Sequence, residues 1–251
     1  MNNPAIRKRT GPAIALIGFG LAVLTASMVM LAGLGSRWGW WPFRTGFTLL
    51  QWGFYVGLAS AAVSMIGSVA VWSAGPRRGL LPAVSGLIIA MVVVGTLWSW
   101  KQTAQHVPPI HDITTDTENP PSFVAILPLR ANAPNPAAYG GPEIAAQQHA
   151  GYPKLGPLIL PIRPAQGFKR ALAVARDMGW QIIDSNPSEG RIEATDTTFW
   201  FGFKDDIVVR VRPTQNGSRI DVRSVSRVGR SDVGTNARRI QKFLKEMTSQ
   251  K

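Results

Sequence analysis

The sequence predicts three N-terminal transmembrane α-helices followed by a C-terminal α+β domain, an antiparallel β-meander with two helices packed on one face. Two observations predict this architecture. Residues 1–100 hold three long apolar runs, and all fourteen acidic residues lie in residues 101–251. The C-terminal part alternates short apolar runs with turn-forming residues, a pattern typical of an antiparallel sheet joined by helices.

The three apolar runs, predicted as spans 12–34, 46–74 and 80–100, contain no charged residue. As helices rising about 1.5 Å per residue, all three are long enough to cross a hydrocarbon core of about 30 Å. A cleaved signal peptide is the alternative for the first run. Its apolar stretch is too long for that class of signal and lacks a clear small-residue cleavage site. We therefore predict a multi-pass transmembrane unit over residues 1–100.

Basic residues beside the spans predict the orientation in the membrane, because cytoplasmic loops carry an excess of Lys and Arg. One side holds Arg7, Lys8, Arg9, Arg77 and Arg78, and the other holds Arg37, Arg44 and Lys101. The balance predicts an inner (plasma) membrane protein with a cytoplasmic N-terminus. Residues 101–251 are then periplasmic or otherwise extracytoplasmic.

Small residues in the second span suggest close helix packing. Gly53, Gly57 and Ala61 are spaced four apart, which lets two helix backbones approach closely. The stripe predicts either a homo-oligomer seam or packing among the chain's own three helices. The absence of charged residues inside the spans disfavours a transporter.

Residues 101–157 are rich in Pro, Gly, Asn and Ala, and we predict a linker or a partly ordered strap over the folded domain. The chain has no cysteine, which excludes thiolate metal sites and Cys nucleophiles. The spacing of His106, His111, Asp112, Asp116 and His149 matches no metal motif. We therefore expect no metal and no cofactor, with the Asp residues of this segment forming turns and caps.

Residues 158–251 carry the α+β pattern. Apolar residues at helical spacing predict helices over 164–179 and 231–247. Alternating runs predict strands over 180–184, 191–195, 198–203, 207–212 and 219–225, with a further short strand at 158–160. A turn centred on Asn216 and Gly217 would place Arg212 opposite Asp221 and Arg210 opposite Arg223.

A resemblance to a known family rests on residues 221–236, which read Asp-Val-Arg-Ser-Val-Ser-Arg-Val-Gly-Arg-Ser-Asp-Val-Gly-Thr-Asn. This run, with Asp205-Asp206 and Gly179-Trp180, resembles the signature of the domain of unknown function 1499 (DUF1499) family, found in bacteria and plastids. The resemblance covers about residues 106–248. It implies a membrane-linked envelope protein and brings no established activity or catalytic residue.

The same run predicts a cluster of Arg, Asp and polar residues at the junction of the last strands and the last helix. Two facing cations would need an anion or internal carboxylates between them, and Arg forks bind both. The cluster is therefore either an anion-binding site, for example for a lipid headgroup, or a structural network. Its members are Arg210, Arg223, Ser226, Arg227, Asp206, Asp232, Asn236 and Arg239.

Catalysis is not expected, because Ser224 and Ser226 have no histidine nearby in the sequence. A membrane-tethered hydrolase remains the alternative, since folding could bring a histidine close. The basic residues are interleaved with acidic ones and form no recognition motif, which argues against nucleic-acid binding. The expected partners are the lipid bilayer and, at the soluble domain, an anionic lipid headgroup or another envelope protein.

Overall fold

The computed structural model describes residues 4–73 and 79–249. It divides the chain into two compact units. The first comprises Met1–Gln102 with Trp200–Gly202, and the second comprises Thr103–Phe199 with Phe203–Lys251. Arg77 and Arg78, used above for the orientation, lie outside the described residues, as do the side chains of residues 7–9.

Three long helices form the first unit: α1 (Pro4–Arg37), α2 (Phe43–Ser73) and α3 (Leu80–His106). Each is long and apolar enough to cross a membrane, which confirms the prediction of three apolar N-terminal helices. They contain the predicted spans, except that residue 74 lies outside the described residues. α1 continues past the predicted end at residue 34 to Arg37, and Gly39, with a φ of 75°, lies in the turn that follows.

The small residues of α2 face inward and pack against the other two helices of the same chain. A Cβ on Gly53 would lie 2.5 Å from Cγ2 of Val29 in α1, and one on Gly57 would lie 2.9 Å from Cγ2 of Val94 in α3. Glycine at these positions therefore permits close packing within the chain. A homo-oligomer through Gly53, Gly57 and Ala61 stays a prediction.

The second unit is an α+β domain built on one antiparallel sheet. Its strands are β1 (Asp112–Thr114), β2 (Leu158–Leu160), β3 (Gln181–Asn186), β4 (Arg191–Thr197), β5 (Lys204–Thr214) and β6 (Gly217–Ser226). Their order is β1-β6-β5-β4-β3, and β2 also pairs with β6. The helices are α4 (Gly141–Gly151), α5 (Pro164–Asp177) and α6 (Thr235–Ser249). Strands β3 to β6, which pair in sequence order, form the meander that the sequence predicts.

The main hydrophobic core lies between one face of the sheet and helices α5 and α6. Phe168 of α5 and Phe243 of α6 are buried there, and Trp180 stacks on Phe243 at 5.2 Å between ring centroids. Every second residue of the central strands points into this core, as a half-buried strand requires. The inward residues of these strands are Ile192, Ala194, Ile207, Val209, Val211, Ile220 and Val222.

Two local predictions are wrong. The apolar stretch 198–203 is a loop, closed by a 2.8 Å hydrogen bond from the Thr198 N–H to the Phe203 carbonyl. α6 begins at Thr235 rather than at residue 231, after Val233 and Gly234 adopt positive φ angles. Residues 101–157, predicted as a linker or a partly ordered strap, also contain β1 and α4, which the breaker-rich sequence did not indicate.

The register of β5 and β6 also differs from the prediction. Thr214 pairs with Gly217, so the turn consists of Gln215 and Asn216. Gly217 belongs to β6 through this pairing, and glycine is needed there because a Cβ would lie 2.0 Å from the Leu160 carbonyl oxygen of β2. This shift places Arg210 opposite Asp221 and Arg212 opposite Arg219. The predicted pairs Arg212–Asp221 and Arg210–Arg223 are therefore wrong.

Candidate functional site

The sheet face opposite α5 and α6 is charged. Alternation along the strands puts Glu193, Asp206, Arg210, Asp221, Arg223 and Arg227 on this face, and residues 115–139, here called the cover segment, lie over it. Phe123 and Ile126 of the cover segment pack on Val208 and Val225. A small apolar cluster therefore sits among the charges.

Asp206 is the centre of the first group of charges, and its side chain is 0% exposed. Its carboxylate accepts hydrogen bonds from Arg130 at 2.7 Å, from Arg227 twice at 2.8 Å and from Thr195 at 2.6 Å. Burial alone raises the pKa of Asp206, but the bonds from Arg227, Thr195 and Arg130 outweigh it and leave the pKa below its ordinary value. Asp206 is therefore a fully coordinated, ionised carboxylate.

Arg223 forms the second group with Asp112 of β1. Its guanidinium donates to both Asp112 oxygens, at 2.9 and 2.7 Å, in a bidentate pair. It also donates to the carbonyls of Pro121 and Ala137 in the cover segment. The rings of Phe123 and Tyr139 lie 5.3 and 5.5 Å from the guanidinium carbon. Arg223 therefore joins β1, β6 and the cover segment.

Two further groups complete this face. Arg210 and Arg219 both donate to Asp221 and to Asp116 at the start of the cover segment. Glu193, which is 0% exposed, accepts the N–H groups of residues 124, 125 and 126 at 2.8 to 3.1 Å and pairs with Arg191. Each group links a strand to the cover segment.

The remaining predicted site residues lie on the other face, beneath α6. Arg239 donates to Asp205 at 2.6 Å and to Asp196 at 2.8 Å, and it also pairs with the Asn236 side chain. Asn236 accepts from Ser224 and donates to Ser226. The sheet thus divides the predicted cluster, with Arg210, Arg223, Arg227 and Asp206 on one face and Ser226, Asn236 and Arg239 on the other.

Asp232 occupies the N-terminus of α6. Its carboxylate accepts the backbone N–H groups of Gly234 at 2.9 Å and Asn236 at 2.5 Å. Burial raises the pKa of Asp232 despite these two bonds. The position where a helix N-terminus would attract an external anion is therefore filled by the chain's own carboxylate.

A cleft of about 430 Å³ borders the cover segment, and Arg223 is among the residues that line it. Tyr139 lines it, and the Tyr139 hydroxyl is buried without a hydrogen-bond partner among the described residues. Burial, together with Asp112, raises the pKa of Tyr139 to about 12, so its hydroxyl stays protonated. The other lining residues are Glu118, Asn119, Pro120, Ser122, Phe123, Leu127, Ala137 and Ala138.

The serine hydroxyls that a hydrolase would use, those of Ser224 and Ser226, are held by polar side chains rather than by a histidine. The hydroxyls of Ser224 and Ser226 are both bound to Asn236. The ring of His149 contacts the Thr117 hydroxyl at 3.1 Å, and Nδ1 of His111 lies 3.4 Å from the Arg230 carbonyl oxygen. Residues 4–73 and 79–249 contain no group of three or more His, Cys, Asp or Glu residues placed to hold a metal ion.

Sequence reasoning missed Arg130, Asp112 and Glu193 as members of the charged face. Glu193 carried a local signal, because Arg191, Glu193 and Thr195 alternate with Ile192 and Ala194 and must share the face away from the core. Arg130 and Asp112 carried none, since their contacts with Asp206 and Arg223 span 76 and 111 residues of sequence.

Three long apolar helices and an α+β domain with paired buried charges define the class as proteins with candidate membrane spans and a C-terminal α+β domain. A model of the family described as "Protein of unknown function (DUF1499)" matches residues 112–247, from β1 into α6. Because the match covers more than half of the 251 residues, the chain belongs to the DUF1499 family. No curated protein matches the chain.

Proposed function

We propose that this protein is an inner-membrane protein whose three helices anchor an extracytoplasmic domain, and that this domain binds an anionic envelope ligand or serves as a scaffold. The excess of basic residues beside the predicted cytoplasmic span ends supports the orientation. The positive formal charge of the second unit supports an anionic partner.

One observation carries the choice of binding over catalysis. The polar groups that a hydrolase would use are bound to one another, since Ser224 and Ser226 contact Asn236, and Asp205 and Asp206 hold arginines. These contacts make a rigid domain, and they hold both serine hydroxyls on Asn236 rather than on a histidine base. The Arg/Asp cluster is, on this proposal, the structural network that fixes the cover segment and α6 to the sheet.

The binding function is tested with the full chain in nanodiscs of phosphatidylcholine. These are mixed with vesicles of phosphatidylcholine, with or without phosphatidylglycerol, and separated by flotation. The proposal expects the protein to float with the anionic vesicles at low salt and to dissociate as salt rises. Equal recovery with both vesicle types, or no recovery with either, contradicts an anionic ligand of this kind.

A further inference from the structure

The ion pairs of the second unit engage more carboxylates than arginines. These ion pairs join seven arginines to nine carboxylates, so the paired groups together have a formal charge of −2. The positive charge of the unit must therefore come from residues outside these pairs. The residues predicted as an anion site are not its source.

The outer surface of α5 and α6 holds a large share of this charge. Both helices bury one side in the core and expose the other. Six exposed basic side chains stand on these helices or on the N-cap of α5, against two acidic ones, Asp177 and Glu246. The six are Arg163, Lys169, Arg176, Arg238, Lys242 and Lys245.

The two helices form one continuous layer. Trp180, just after α5, stacks on Phe243 of α6, and Arg170 of α5 donates a 3.2 Å hydrogen bond to the Met247 carbonyl of α6. The six basic side chains therefore belong to one rigid element, which presents several cations together. Such a surface attracts a partner that carries many separate anionic groups.

Resting on the function proposed above, we infer that the outer surface of α5 and α6 binds the anionic phospholipid headgroups of a bilayer. The three helices of the first unit keep this domain attached to a membrane, so a lipid surface is the polyanion it meets at the highest local concentration. Each Lys or Arg near an anionic membrane surface strengthens binding by about fivefold. Six such residues supply a strong, salt-sensitive attraction without a cavity.

A charge-matched pair of variants tests this surface in the flotation assay. The first carries Lys169→Gln, Lys242→Gln and Lys245→Gln. The control carries Lys154→Gln, Lys204→Gln and Arg212→Gln, which are exposed and lie off both helices. Surface changes of this kind leave folding nearly unchanged, and circular dichroism checks this.

We expect the first variant to lose at least about tenfold in partition to phosphatidylglycerol vesicles and the control to lose less than about threefold. If wild-type protein binds and both variants weaken equally, the α5–α6 surface is not the site although the binding function stands. If wild-type protein does not bind, the function itself fails. Displacement by millimolar inorganic phosphate, or tighter binding to duplex DNA than to the vesicles, would overturn the assignment to a lipid surface.

Discussion

Replacing Asp206 by Asn removes the charge at the centre of the covered sheet face while keeping the size of the side chain. Three hydrogen bonds from Arg130 and Arg227 then lose their carboxylate. The Arg130 side chain is only 3% exposed, and in the described part of the chain its ion pair is with Asp206 alone. Breaking a buried pair in this way costs about 3–5 kcal/mol, because one charge stays buried without compensation. We expect the variant to lose this much free energy of unfolding.

Pulse proteolysis in urea, on the full chain in nanodiscs, measures that loss. Asp184→Asn is the matched control, since it removes a carboxylate that is 35% exposed and lies 3.1 Å from Arg191. A pair screened by solvent contributes at most about 1 kcal/mol, so the control should remain near wild type. If Asp206→Asn costs less than about 1 kcal/mol, or no more than the control, the network does not hold the cover segment to the sheet.

Three further predictions follow from the same contacts. The pKa of Asp206 is lower in the folded state than its ordinary value of 3.8, so the carboxylate stabilises the fold fully above pH 3.8 and progressively less as the pH falls below it. Circular dichroism in denaturant should show this loss of stability for wild type and a shallower loss for Asp206→Asn. Glu193→Gln weakens three charge-assisted backbone bonds, so limited proteolysis should cut residues 115–139 faster than in wild type, whereas unchanged cutting would contradict the role of Glu193. Gly67→Val should destabilise the helical unit by about 1–3 kcal/mol in SDS titration, because a Cβ there meets the Ala15 backbone at 2.9 Å; Gly20→Val, with nothing within 4 Å, should not.

The elements that sequence could predict are those specified by local patterns. The three apolar helices are defined by length and composition, and α5 and α6 by apolar residues at helical spacing. The meander β3 to β6 follows from alternation and turn residues. In each case the residues that decide the element lie within it, so their pattern is visible along the chain.

The elements and contacts that were missed depend on distant residues. β1 has only three residues and exists because it pairs with β6, about 110 positions later. The stretch 198–203 has the aromatic composition of a strand, yet it turns at Gly202, whose φ is 70°. Gly217 resembled a turn residue but is required by the approach of β2. Such choices are made by tertiary packing rather than by local preference.

The predicted site shows the same limit. The residue types were informative, since Arg223, Arg227, Asp206 and Arg239 all take part in buried ion pairs. Their grouping could not be read from the sequence, because a shift of two residues in register converts Arg210 from a neighbour of Arg223 into a partner of Asp221. The observed register instead places Arg212 opposite Arg219, and the carboxylates of Asp116 and Asp221 bind Arg219 without an external anion.

The most direct test of the proposed function is a measurement of membrane topology. The second unit can be an envelope-binding domain only if it lies on the extracytoplasmic side. The chain has no cysteine, so Lys242→Cys introduces a single thiol, at an exposed position of α6. In spheroplasts of an expressing bacterium, a membrane-impermeant maleimide should label this thiol without permeabilisation. Labelling that requires permeabilisation of the inner membrane would place the domain in the cytoplasm and contradict the proposal.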